Sequence, residues 1–345
     1  MRNLDTNASS NLAGGASSQT SGVLGTRSAG ASVIICAYTL DRWDELACAV
    51  QSALEQTLPP REVTVVVDNN PELLAQARKR FDGVQVVANH HGPGLSGARN
   101  TGADVSSGSI LVFLDDDGVA SPQWLQEHVA GYSDPSVLGI GGDVTPIWRS
   151  DPPRWLPEEL YWVIGCTYTG MPLEPAPIRN PIGANMSIRA DVFAGAGGFR
   201  HELGRLDVGG KAITGTADET EFCIRALQRY PDGQWFYRPA ASIRHVVTPH
   251  RATWRHFVDR CRLEGGSKAV LVGLRGQRSG LASERRYVAR VLPLGVLREL
   301  RAAARGEPYA LKRGGAICAG LGITTLSYLR ARAEMALGGG QRYSS

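Results

Sequence analysis

Ser109-Ile110-Leu111-Val112-Phe113-Leu114-Asp115-Asp116-Asp117 carries an apolar run straight into three carboxylates. Apolar residues without polar alternation are expected of a strand covered on both faces, as in a parallel sheet. The acids that end the run then stand at the carboxyl edge of that sheet. Like charges so close repel by about 1 kcal/mol at ~4 Å in water, and by more in less polar surroundings. A cation removes that cost, and carboxylates with few soft ligands beside them suit Mg2+ or Mn2+ shared with substrate phosphates. A solvated acidic turn is the plainer alternative, but it would not call for so apolar a strand before it.

Upstream of this stretch the pattern alternates. Ser32–Ala37 (SVIICA) reads as a buried strand, Arg42–Leu54 as a helix, and Glu62–Val67 (EVTVVV) as a second strand ending at Asp68. Pro71–Phe81 reads as a helix, Val84–Ala88 as a third strand, and Leu95–Val105 as a short helix leading into the acidic strand. Strands alternating with helices predict an α/β fold with a mainly parallel, doubly covered sheet, whose ligands bind beyond the carboxyl ends of the strands. Asp68 and Asp115–Asp117 both stand at such ends.

The turn Gly92-Pro93-Gly94-Leu95-Ser96-Gly97 fits the GxGxxG pattern of dinucleotide sites, so an NAD-type oxidoreductase is a competing reading. That pattern normally opens its sheet, however, whereas here it follows two strand–helix units. Pro93 also stiffens the turn, and one ribose needs one acid rather than three.

After Trp124 the regularity is lost. Two Pro-rich segments, Asp151–Pro157 and Met171–Pro181, suit loops that shape an acceptor cleft or simply connect elements. Ala217-Asp218-Glu219-Thr220-Glu221 opens a helix running to Gln228. Acids in a first turn complement the helix dipole, yet a sugar transfer that inverts the anomeric carbon also needs one carboxylate to take the acceptor's proton. His245 lies in the strand-like Ser242–Val247. Trp148, Trp155 and Trp162 can stack on sugar faces or pack into a core.

With 345 residues, 43% of them hydrophobic, the chain buries a full core as one large domain or two small ones. Its six cysteines form no CxxC pair, which points away from a disulfide framework or zinc site and towards a reducing compartment. Residues 1–30, rich in Ser, Gly and Ala without an apolar core segment, read as a disordered leader rather than a secretory signal. From Leu271 onward thirteen Lys and Arg face four acids, so a basic tail follows an acidic body. Such a tail can lie on an anionic membrane surface or fold back as a helical hairpin on its own domain. Its apolar stretch Gly314–Leu329 is shorter than the ~20 residues of a spanning helix. Nucleic acid is not an expected partner, because no base-stacking aromatics interleave with the arginines.

Taken in order, SVIICAY, VVVDNN, GLSGARNTG, FLDDD, GANMS, ADETEFCIRA and RHV resemble the family 2 glycosyltransferases of GT-A fold, over roughly Ala31–Lys268. The resemblance implies metal-dependent, inverting transfer from a nucleoside-diphosphate sugar, UDP- or dTDP-linked, to a glycan, lipid-linked or small polar acceptor. Cys36, Ala37 and Tyr38 would line the nucleoside pocket, Asp68 would hydrogen-bond the base, and Arg99 would support the base and ribose. Asp115 and Asp116 would hold ribose and order the metal shell. Asp117 would ligate Mg2+ or Mn2+ directly, with Asp115 and His245 completing the set, and Asn185 would lie under the donor sugar or acceptor. Glu219 aligns with the catalytic base, with Asp218 as the alternative because the acidic pair is reversed here. The implied organisation is a 31–268 transferase domain, with a 31–120 nucleotide-binding half and a 121–268 acceptor and catalytic half, followed by a 269–345 basic helical extension. The implied setting is cell-envelope polysaccharide synthesis in the cytoplasm, with peripheral contact on the inner face of the membrane. A catalytically silent nucleotide- or glycan-binding relative is the remaining alternative.

Overall fold

The computed structural model describes residues 28–200, 207–208, 211–212, 218–275 and 285–337. Most of the expected leader lies outside the described residues. β1 (Ser28–Ala37) nevertheless starts four residues ahead of the apolar run at Ser32.

β1, β2 (Glu62–Val67), β3 (Gln85–Ala88) and β4 (Gly108–Asp115) lie in the order β3-β2-β1-β4 with every pair parallel. They are joined by α1 (Trp43–Leu54), α2 (Pro71–Arg80) and α3 (Leu95–Val105). Local chemistry sets these boundaries: the Asn70 side chain caps α2 by accepting from the Leu73 amide at 3.0 Å, and Pro71 occupies the first turn, where its missing N–H costs nothing. The strands are apolar on both faces because both are covered. Val33, Ile35, Val65 and Val112 join one core layer with α1 and α2, while Ile34, Val66, Leu111 and Phe113 join the other with α3 and later helices. The register pairs Cys36 with both Val66 and Asp115, so the ends of these strands form one edge.

The sheet then continues through strands that the sequence pattern hides. After β5 (Gly118–Ala120) and α4 (Trp124–Ala130) comes β6 (Val137–Trp148), and β7 (Ala176–Ile178) precedes β8 (Asn185–Arg189). α5 (Ala190–Ala196), a two-stranded ribbon of β9 (Asp207–Val208) and β10 (Lys211–Ala212), α6 (Asp218–Arg229) and β11 (Gln234–Val247) follow. β8 runs antiparallel between β4 and β6, and β6 pairs parallel with β11, completing a nine-stranded sheet with β5 and β7 on β11. The glycines of β6 are steric. A Cβ at Gly139 would overlap the Trp235 ring, and one at Gly142 would overlap the Ala241 carbonyl oxygen. β11 accommodates Pro239 where its register on β6 shifts between Arg238 and Ile243.

The basic tail folds back on the domain. α9 (Ala310–Leu337) packs along α7 (Trp254–Arg275) and α8 (Leu292–Ala304), and Leu292, Ala316 and Ile317 enter the same core as Phe257 and Leu160. An ion network pins the join. Buried Glu159 accepts from Arg298 at 2.8 Å, and buried Glu299 accepts from Arg298 at 2.6 Å and Arg313 at 2.7 Å. Each of these buried carboxylates is paired, which is the condition for keeping charge inside a protein.

Candidate active site

Asp115 closes β4, and Asp116 and Asp117 form the turn into β5. The Asp117 carbonyl accepts from the Val246 amide at 2.9 Å, and this pairing brings His245 of β11 alongside. Two arginines from short helical turns converge on the acids. Arg42 lies 2.8 Å from Asp116 Oδ1 and 3.2 Å from Asp117 Oδ2, while Arg251 donates to His245 Nε2 at 2.7 Å and lies 3.6 Å from Asp117 Oδ2. Burial and the adjacent Asp117 charge push Asp116 up to about 7. Burial acts on Asp117 in the same direction, but His245, Arg251 and Arg42 outweigh it and hold that carboxyl below its usual range.

Three buried ligand atoms here lack hydrogen-bond partners: Asp116 Oδ2, Asp117 Oδ1 and His245 Nδ1. Asp117 Oδ1 and His245 Nδ1 are 3.1 Å apart, but without the alignment of a hydrogen bond. Each orphaned buried group costs about 1–3 kcal/mol, and a divalent cation would satisfy carboxylate oxygens and an imidazole nitrogen together. The donor set therefore fits Mg2+ or Mn2+. The trio Asp115, Asp117 and His245 is not drawn into ligating spacing. Among the described residues that spacing occurs only at exposed His90, His91 and Asp104.

The second acidic pair sits at the start of α6. Asp218 is buried and accepts from Ser96 Oγ at 2.6 Å, and burial with the neighbouring Glu219 charge drives it up to about 8. Burial opposes the Glu219 charge too, but Arg99 and a hydrogen bond with Asp218 bring that carboxyl down to about 2. The two shifts run in opposite directions, so Asp218 is the member of the pair that favours the proton and Glu219 the member that favours the charge. Arg99, buried on α3, reaches Glu219 Oε1 at 2.9 Å, the Gly183 carbonyl at 2.9 Å and Asp115 Oδ1 at 3.4 Å. Its side chain thus lies between the two acidic clusters, and its charge also acts on the Cys36 thiol. Gly183 allows the approach, since a Cβ there would overlap Glu219 Oε1.

Asp115, Arg99 and Glu219 line a cavity of ≈ 430 Å3 together with His245, Arg251 and Trp162. Cys36, Ala37, Tyr38 and Asp68 gather at the neighbouring ends of β1 and β2. Tyr38 is exposed under the Arg42 guanidinium, Ala37 is buried, and burial pushes the Cys36 thiol up to about 12. Asp68 accepts from Asn89 Nδ2 at 2.7 Å and the Gly94 amide at 2.8 Å, so it secures the glycine turn. Asn185 stands apart. It is fully buried in β8, its Oδ1 accepts from Trp124 and His128, and its Nδ2 donates to the Asp143 and Ala241 carbonyls. With these four bonds Asn185 stitches β8 to its neighbours. Trp148 packs on Tyr161, and Trp155 on Trp254 and Phe257; of the three tryptophans only Trp162 reaches the cavity.

Residues 32–195 match the family described as glycosyl transferase family 2. A glucosyl-dolichyl phosphate glucuronosyltransferase of Haloferax volcanii is 32% identical over 244 residues, covering 70% of this chain and 76% of the relative. The chain belongs to glycosyl transferase family 2. Glycosyltransferase AglE of the same organism is 28% identical over 180 residues, covering 50% of this chain and 56% of that protein. A mannosyltransferase from Pyrobaculum calidifontis, solved with GDP-Man and Mn2+, shares the fold with a TM-score of 0.53 and 18% identity, covering 88% of this chain and 86% of that one. The protein is accordingly a nucleotide-sugar glycosyltransferase of GT-A fold, with a mostly parallel sheet and a helical C-terminal region.

Family membership removes the oxidoreductase reading, and the topology agrees with it. The glycine turn follows β3 at one edge of the sheet, not β1 at its interior. Sequence reasoning missed Arg42, Arg251 and Arg260, as well as Tyr287, Leu292 and Leu321 of the C-terminal region, all of which touch the acids or line the cavity. No local signal marks them, because the arginines lie in short turns or on a long helix and the tail residues read as ordinary helix.

Proposed function

We propose that this family 2 enzyme performs metal-dependent, inverting transfer from a nucleoside-diphosphate sugar to a hydroxyl of a lipid-linked or glycan acceptor. The observation that carries this reading is that Asp115 and Glu219 line one cavity and share the Arg99 guanidinium. The base candidate and the acidic turn are thereby held at one reaction centre.

Glu219, anionic and open to the cavity, takes the proton from the acceptor hydroxyl as that oxygen attacks the anomeric carbon. Asp218, turned to Ser96 and protonated, positions Glu219 instead of acting as base. Arg99 is a positioning residue for both acids. Asp117, Asp115 and His245 would hold Mg2+ or Mn2+, which supplies positive charge to the departing diphosphate. Were His245 to ligate through Nδ1, its proton would sit on Nε2, the nitrogen that Arg251 approaches at 2.7 Å. Cys36, Ala37, Tyr38 and Asp68 supply the nucleoside side, with UDP and dTDP the donors to test first, and Asp116 lies where the ribose would follow.

A lipid-linked acceptor is supported by the C-terminal helices, which contribute Tyr287, Leu292 and Leu321 to the cavity. On their outer side Leu294, Leu297 and Leu300 are exposed near Arg290, Arg301 and Arg305, a surface suited to peripheral contact with an anionic membrane on the cytoplasmic side. Among the described residues no helix is long and apolar enough to cross a membrane. Vesicle sedimentation tests this: salt-sensitive binding to anionic vesicles should fall on Leu297→Glu, and indifference to that change counts against membrane contact.

The decisive experiment for the activity is a donor screen by product mass, with UDP-, dTDP- and GDP-sugars and Mn2+, repeated with chelator. Transfer that stops on chelation and inverts the anomeric configuration supports the reading. Full turnover in chelator overturns the metal dependence, and no donor turnover at all favours the silent relative.

A further inference from the structure

The turn between β3 and α3 brings together side chains that the transfer reaction does not use. His90 and His91 of this turn both direct Nε2 at one oxygen of Asp104 on α3, lying 3.3 and 2.7 Å from its Oδ2. Among the described residues only these three place their ligand atoms within 4.8 Å of one another. The two imidazole rings lie 4.9 Å apart between centroids, tilted by 32°. Bonds to the backbone hold the arrangement. Thr101 Oγ1, also on α3, accepts from the His90 amide at 3.1 Å, while Asn89 Oδ1 accepts from the His91 amide at 3.0 Å and from Thr101 Oγ1 at 2.7 Å. The glycines allow the turn to lie this close to α3, since a Cβ at Gly97 would overlap the Gly92 carbonyl oxygen. Exposed ion pairs contribute little to stability, so stability does not account for two imidazoles converging on one carboxylate oxygen. The three side chains keep 53%, 33% and 55% of their surface exposed, which leaves the cluster open to an ion from solvent.

We propose that His90, His91 and Asp104 bind a transition ion of the Zn2+ class that staples the glycine turn to α3, at a site separate from the acidic turn. The donor set selects the metal. Two imidazoles with one carboxylate suit a borderline ion such as Zn2+, whereas the oxygen-rich Asp115–Asp117 turn suits harder Mg2+ or Mn2+. Zn–N and Zn–O bonds of about 2.0–2.1 Å set tetrahedral ligand atoms roughly 3.3 Å apart. The present separations from Asp104 Oδ2, 3.3 and 2.7 Å, reach that spacing with small shifts of exposed side chains. Each imidazole binds through a neutral nitrogen, so a proton held there leaves to solvent, and water fills the fourth position. The staple reaches past its own ligands through Asn89. Asn89 Nδ2 donates to Asp68 Oδ1 at 2.7 Å, and Asp68 Oδ2 accepts from the Gly94 amide of the same turn at 2.8 Å. A bound ion therefore stiffens the seat of Asp68. The site itself stands independently of the glycosyl-transfer reading, and only this consequence for the nucleoside side depends on it.

The test is calorimetric titration of the untagged full chain with Zn2+, with Mn2+ in excess to occupy the acidic turn. Zn2+ should bind one to one, and Co2+ in its place should give the visible absorption of a low-coordinate site with imidazole ligands. Changing a residue that merely orients a ligand costs about 10- to 100-fold in metal affinity, so His91→Ala and Asp104→Asn, which remove ligands, should each weaken Zn2+ by at least about tenfold and abolish the Co2+ bands. His250→Ala, at the other close pair of histidine rings, should leave both unchanged. Amide exchange over residues 89–97 should slow when Zn2+ is added to the parent and stay unaltered in Asp104→Asn. A cooperative thermal transition shows that each variant is folded. Equal Zn2+ binding by the parent and His91→Ala, loss of binding in His250→Ala, or no change of exchange in the turn overturns the proposal. Failure of the parent to bind UDP, dTDP or GDP with Mn2+ would instead overturn the glycosyl-transfer reading, whatever the Zn2+ titrations give.

Discussion

In the Asp115–Asp117 turn, neighbouring carboxylates are driven apart, Asp116 up to about 7 and Asp117 down, with Arg42 and Arg251 supplying compensating charge and His245 lying beside Asp117. In the Asp218–Glu219 pair the separation is wider, up to about 8 and down to about 2, and one guanidinium, Arg99, supplies most of the compensation. The cations differ in freedom. Arg42 and Arg251 keep 22% and 25% of their side-chain surface exposed, whereas Arg99 keeps 2% and is fixed by Glu219, Asp115 and the Gly183 carbonyl. The turn also retains orphaned ligand atoms, while both carboxylates of the pair have partners. Charge at the turn is held by groups that can yield to a metal; charge at the pair is built into the core. The first arrangement suits a site that loads and releases a diphosphate, the second a base that must not move.

Five substitutions break or sharpen this contrast. Glu219→Gln removes the anion at the pair and should lower turnover by roughly 100- to 10,000-fold with donor affinity retained, as measured by transfer rate and nucleotide titration. Asp117→Ala should lower turnover by at least ~100-fold and, unlike Glu219→Gln, should also weaken the response of nucleotide binding to Mn2+. Arg99→Met tests the fixed cation. It leaves Glu219 and Asp115 without their buried partner and should cost about 3–5 kcal/mol in denaturant unfolding, a larger loss than Arg42→Met at the more exposed turn.

The smallest effect on activity is expected from Asp218→Asn, which copies the protonated carboxyl and should keep transfer within about threefold at neutral pH. It should change the pH dependence of stability instead. Asp218 is raised from 3.8 to about 8 on folding, so the native state holds a proton that the unfolded chain has lost, and this group's contribution falls as pH rises between those values. The variant, measured by urea unfolding from pH 4 to pH 8, should lose that decline. Glu219 has the opposite sign. Lowered from 4.5 to about 2, it contributes stability that is present above its unfolded value and lost as pH falls towards its folded one. A steeper decline towards pH 8 in Asp218→Asn than in the parent would refute the assignment of the shared proton.

Much of this was written locally in the chain. β1 to β4 and the helices between them were legible because each apolar run, the Asn70-Pro71 cap and the acids after Leu114 act over a few residues, and apolar strands covered on both faces read the same in any context. The acidic residues of both clusters were legible as types for the same reason. β6 was not, since Gly139 and Gly142 read as breakers until Trp235 and the Ala241 carbonyl occupy the space beside them, and of β11 only Ser242–Val247 was legible.

By itself, then, the sequence determined the parallel β/α half, the acidic rim and the two clusters of neighbouring carboxylates, because hydrophobic period and charge type are properties of short segments. Tertiary structure alone decided how the carboxylates are driven apart, which of Asp218 and Glu219 faces the cavity, that Asn185 is locked away, that Arg42 and Arg251 reach the acids, and that Arg260 and the C-terminal helices line the cavity. Those outcomes depend on desolvation and on partners far along the chain, 74 residues apart for Arg42 with Asp116 and 120 for Arg99 with Glu219. Coulomb energy and burial act through space, and only the folded chain sets those distances.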